Sequence, residues 1–139
     1  MDFGIGVGKR ILVIDFDDIF LRDFKRVIET EDYHFECALD LEEGMAKLRK
    51  GHYDMVIIEP IDIKRGKLER MSVTQPKLWQ EAMEHLRRTK TPCMFFSAYD
   101  EEEMPGEYAL ARERGYITRL KPEHTLTLLR DIAEKTLAA

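Results

Sequence analysis

The chain has 139 residues, of which 44% are apolar and 35% charged, and a net charge of −5 from 22 basic and 27 acidic side chains. That length suits one domain with a real core and is too short for two of ordinary size, and the balance excludes a largely disordered chain. The negative charge disfavours phosphate backbones, so direct nucleic-acid binding is not expected, and no apolar run approaches the ~18 residues of a membrane span. Cys37 and Cys93 both lie in apolar runs that read as buried strands. They show no ligand spacing, which fits a reduced, cytoplasmic setting.

The first eight residues are Gly-rich and read as a tail, leaving 9–139 as the domain. RILVID (10–15) is a continuous β-branched run, the pattern of a strand buried on both faces. Phe20, Phe24, Val27 and Ile28 then follow helical spacing. HFECAL (34–39) reads as a second strand. Asp40 with Glu43 three residues on predicts a capped helix, striped by Leu41, Met45 and Leu48 and ending near Gly51. YDMVIIE (53–59) is the third strand. The stretch 60–77 is long for a strand-to-helix connection and reads as an extended loop. Trp79, Ala82, Met83 and Leu86 stripe the next helix, PCMFFSA (92–98) is the fourth strand, and a helix is expected within 101–114, ending at Gly115. YITRL (116–120) is the fifth strand, closed by Pro122, and Leu126, Leu129, Ile132, Ala133 and Leu137 stripe the last helix.

Five alternations of apolar strand and amphipathic helix predict a doubly wound α/β domain with one five-stranded parallel sheet. In such sheets the functional site lies beyond the carboxyl ends of the strands. The residues expected there are Asp15, Phe16, Asp17 and Asp18 after the first strand, Glu59 after the third, Ser97 after the fourth and Lys121 after the fifth.

From Lys9 to Leu137 this order resembles the receiver domains of two-component response regulators. ITRLKP with Lys121-Pro122 is the most specific signature; ILVID followed by Asp17 and Asp18, MVIIEP, and FFSA supply the others. The resemblance implies a flavodoxin-like sheet of order 2-1-3-4-5 and a role in signal transduction through protein contacts. In that family two acids after the first strand hold magnesium, an aspartate after the third strand accepts a phosphoryl group, and a hydroxyl and the lysine contact its oxygens. Asp15, Ser97 and Lys121 match their counterparts. Phe16 stands at the second acid, Glu59 at the phosphoacceptor, and Thr118 at the usual aromatic switch position.

A glutamate carries its carboxylate roughly 1.5 Å further out than an aspartate, and misplacement on that scale costs about 10²-fold in rate. The expectation is therefore a receiver-like domain not phosphorylated at the usual site and not an enzyme. Asp15 and Asp17 are weak metal candidates, magnesium binding is weak or absent, and Glu59 pairs with Lys121. A partner, or a second copy of the chain, is expected on the 101–137 face, through residues such as Tyr108, Arg112 and Arg119. One alternative is phosphorylation by an altered route. Another is a phosphatase of the haloacid-dehalogenase type, since ILVIDFDD also fits that family's first motif, with Asp15 as nucleophile and Asp17 as general acid/base. The acidic fourth motif of those phosphatases is missing here, because only one helix follows Lys121.

Overall fold

The computed structural model describes residues 8–121 and 125–138. The expected tail lies outside the described residues except for Gly8, which packs on the backbone of Asp32 so closely that a Cβ would meet it at 2.5 Å. Pro122 also lies outside them.

The elements run β1 (Lys9–Ile14), α1 (Asp18–Ile28), β2 (Tyr33–Ala38), α2 (Leu41–Lys50), β3 (Met55–Ile58), β4 (Ile61–Lys64), β5 (Lys67–Arg70), α3 (Met71–Thr74), α4 (Pro76–Thr89), β6 (Cys93–Ser97), α5 (Pro105–Arg114), β7 (Ile117–Leu120) and α6 (Thr125–Ala138). Five strands form one parallel sheet in the order β2-β1-β3-β6-β7, the expected topology once the two extra strands are set aside.

Both faces of the sheet are covered, which is why its strands read as continuous apolar runs. Side chains alternate between two cores. Leu12, Ile14, Val56, Ile58 and Phe95 pack with α2 and α4 through Met45, Leu48, Trp79, Ala82 and Leu86. Ile11, Val13, Met55, Ile57, Met94 and Phe96 pack with α1 and α6 through Leu21, Phe24, Ile28, Leu129 and Ala133. Helix starts follow the expected chemistry: the Asp17 side chain accepts from the Phe20 N–H, and that of Asp40 from the Glu43 N–H. Gly44 lets α2 close onto β1, since a Cβ there would sit 2.4 Å from Ile14 Cδ1.

Two expectations are corrected. Residues 60–77 are not an extended loop. They form the antiparallel hairpin β4–β5 and the single turn α3, and Pro76 and Lys77 open α4. Arg65 and Gly66, at φ 54° and 77°, make the tight two-residue connection that matches hairpin twist. Strands of four residues carry too little alternation to stand out in sequence. Cys37 is exposed, not buried, because β2 is the edge strand and its outer positions lack a helix above them; Cys93 is buried, which pushes its thiol pKa up.

Phe24 is the keystone of the α1 core, fully buried, edge-on to Phe35 at 5.1 Å and stacked with Phe20 at 5.7 Å. Phe24→Ala is expected to cost about 3–5 kcal/mol, the usual penalty for emptying an aromatic core position. Urea denaturation with an unchanged slope and a lowered midpoint would show it; a loss under about 1 kcal/mol would mean that the core refills the space.

Candidate functional site

Sheet hydrogen bonding continues one residue past the strand ends and fixes the backbone of the site. Asp15 N–H donates to Ala38 O (3.0 Å), Glu59 N–H to Ile14 O (2.9 Å) and Lys121 N–H to Ser97 O (2.8 Å). Side-chain parity does the rest. Asp15 continues the series Ile11, Val13; Glu59 continues Met55, Ile57; Lys121 lies four residues beyond Ile117. All three series belong to the α1/α6 face, so these side chains point the same way. Ser97 continues Cys93, Phe95 and has the opposite parity.

The result is a compact charged cluster. Lys121 Nζ lies 2.7 Å from Asp15 Oδ2 and 3.4 Å from Glu59 Oε1. Asp15 and Glu59 are only 1% and 2% exposed, and the lysine side chain 15%. The rings of Phe20 and Phe96 flank the ammonium, with centroids at 4.3 and 5.5 Å, the geometry of a cation–π contact. Glu59 Oε2 accepts from Ile61 N–H at 3.2 Å, Asp15 Oδ1 from Asp17 N–H at 2.9 Å, and Ser97 Oγ from Tyr99 N–H at 3.1 Å.

Two acids share one lysine, so the formal charge of the cluster is −1. Burial raises the pKa of both carboxyls above the usual range and outweighs the lowering by Lys121; the Ser97 hydroxyl also lowers that of Glu59, and Asp15 raises it.

The expected residues do not all converge. Asp17 is exposed, and its carboxylate caps α1 instead of turning to Asp15. Phe16 is half-buried and offers no donor. Thr118 is half-buried in β7, in register with Phe95. Among the described residues no group of three or more His, Cys, Asp or Glu is arranged to hold a metal. Both Asp15 oxygens are engaged, by Asp17 N–H and by Lys121 Nζ.

On the outer face, Tyr108 donates to Tyr99 O, Arg112 pairs with Glu101 at 2.8 Å, and Arg119 is exposed. Spacing along the chain does not reveal Glu107, an acid in the first turn of α5 that is buried and bound by Arg70 and Ser72 from the hairpin side. Its role depends on the packing of the inserted hairpin, which helical spacing does not encode.

No protein-family model matches the chain, and no curated protein matches it by sequence. Solved structures do match. A two-component response regulator from Clostridium difficile superposes with a TM-score of 0.71 at 19% identity, covering 94% of this chain and 96% of that one. A CheY-like response regulator receiver domain protein from Methanospirillum hungatei gives 0.68 at 25% identity, covering 93% and 94%. The response regulator TrrA from Thermotoga maritima, in complex with Mg(2+)-BeF, gives 0.65 at 20% identity, covering 92% and 98%. The fold is therefore the CheY-like receiver fold, over nearly the full length of these neighbours.

Because both carboxyls hold protons more readily in the folded chain than in the unfolded one, their contribution to stability is full below the ordinary carboxyl range and is lost as pH rises through their raised folded values. Glu59→Gln removes one of them and leaves the closer Asp15–Lys121 pair. The variant is expected to match the wild type in acid and to melt a few degrees higher at neutral pH. Thermal melts across pH 4–8 would test this, and a wild type more stable than the variant at neutral pH would refute it.

Proposed function

We propose that this chain is a receiver-like signalling domain that works through protein contacts and is not phosphorylated at the usual position. The observation that carries the reading is the Lys121 ammonium lodged between Asp15 and Glu59. In this arrangement the lysine already has its anionic partners. The acid at position 59 is one methylene longer than an aspartate, and Ile61 N–H and Lys121 engage its two oxygens, which disfavours in-line attack on a donor. The cluster is net negative without a metal, so it repels an incoming phosphoryl group. With Phe16 in place of a carboxylate, no second acid offsets this by recruiting a cation.

Output then rests on surface chemistry. The face made by α5, β7 and α6 carries exposed Leu120 and Leu128 beside Arg119, and a protein partner is assigned to it. Thr118 is too small to relay a large side-chain swing, so this face has one resting form. The altered-route alternative keeps the fold and differs only in chemistry. The phosphatase alternative needs Asp17 beside Asp15 as a proton donor, and Asp17 is engaged as a helix cap.

Incubation with a small-molecule phosphodonor and magnesium, read by intact mass, is expected to leave the mass unchanged. A stoichiometric single phosphoryl adduct would overturn the reading. Titration with magnesium, followed by Trp79 fluorescence and by amide shifts at Asp15, is expected to show no saturation below about 1 mM, the range of a dedicated hard-cation site.

A further inference from the structure

The hairpin β4–β5 stands outside the main sheet and gathers exposed apolar and unpaired basic side chains in one short segment. Its cross-strand pair Ile63–Leu68 is 48% and 49% exposed, and Val73 just beyond it is 58% exposed. The pair at its tip, Lys64–Lys67, sets two like charges opposite each other, which is destabilising in an isolated ribbon. Lys64 turns back to Asp62 at 3.6 Å. Arg65 and Lys67 have no acidic partner among the described residues.

The surroundings are ordered by charge. Leu68 and Val73 line an open groove of about 510 Å³ with Ile61, Tyr99, Glu103 and the hairpin's own Glu69 and Arg70. Beyond Tyr99 lies the run Asp100, Glu101, Glu102, Glu103, whose three glutamates are exposed; only Glu101 has an ion-pair partner among the described residues, Arg112. The surface thus holds an acidic loop, a groove whose centre is apolar with Glu69 and Arg70 at its side, and a basic hairpin tip.

We infer that this surface docks a second copy of the chain in a twofold dimer. A twofold interface presents the same patch from both sides and must be self-complementary. Half a turn about an axis through Leu68 and Val73 sets the basic tip of each copy against the acidic loop of the other and apposes the two apolar floors. The arrangement covers the exposed Ile63, Leu68 and Val73 and supplies counter-charges for Arg65 and Lys67. The contact rests on one hairpin and one loop and leans on exposed charges, so the dimer is weak and salt-sensitive. This inference is independent of the phosphorylation reading and of the α5–β7–α6 face.

Sedimentation velocity over a concentration series is the test, at low salt and at about 0.5 M NaCl, where exposed charges are screened. The wild type is expected to move toward dimer mass with concentration at low salt and to weaken about tenfold or more at high salt. An all-acidic variant (K64E, R65E, K67E) and an all-basic one (E102K, E103K) are each expected to be monomeric with melting temperatures near that of the wild type. Mixed, they are expected to form a heterodimer, because each tip then meets an opposite loop in both contacts. A wild type monomeric at every concentration would overturn the inference, as would a mixture that stays monomeric. So would a dimer that persists in both charge variants but is lost in R119E combined with L120D, which would place the contact on the other face.

Discussion

Everything at the carboxyl edge of this sheet depends on one ammonium group placed between two buried carboxylates. Neither acid is comfortable where it stands. Each has left water for a site walled by Phe20, Phe96 and the strand ends, and the lysine offsets only part of that cost. Removing the lysine would leave two uncompensated charges in a small space, a far greater penalty than the loss of an exposed pair. The three groups therefore act as a unit, and they draw the ends of β1, β3 and β7 together. A pocket of this kind carries its own cation on the chain.

The hairpin is attached to that unit. It begins two residues after Glu59, and its first N–H bonds the glutamate carboxylate. At its far end Met71 N–H returns to Pro60 O, and Arg70 and Ser72 reach Glu107 on α5. The inserted segment thus bridges the site and the helix that follows β6. The exposed part of the hairpin begins at Ile63, four residues from the buried acid, and hydrogen bonds tie the base of the hairpin to Glu59 and Glu107.

How much of this the sequence displayed depended on the kind of signal. Long apolar runs announced the three central strands to within a residue or two, because burial on both faces leaves no ambiguity of pattern. The site was legible because strand ends converge: once the alternation is recognised, Asp15, Glu59, Ser97 and Lys121 must share one edge. Their ranking was less visible. The expected partner of Lys121 was Glu59, yet Asp15 is the nearer at 2.7 Å. That difference is set by strand register and side-chain length, which spacing along the chain does not express. Cys37 was misplaced because HFECAL has the composition of an interior strand, and its position at the edge comes only from the pairing order. The β4–β5 hairpin escaped notice because IDIK and KLER are short and mostly polar, with only Gly66 to mark a turn.

The same contrast between the hairpin and the sheet has a kinetic side. Each pairing in the main sheet joins segments separated by an entire helix, so none can form until much of the chain has been brought together, and none opens without disturbing both cores. The β4–β5 pairing closes over two residues, and its outer half touches neither core. Such a ribbon can fray and re-form on a far shorter timescale than the domain around it, as a separate low-stability unit within a cooperative whole. The protein thus combines two rhythms, a slow parallel sheet that holds the charged cluster and a fast local strand pair rooted beside it.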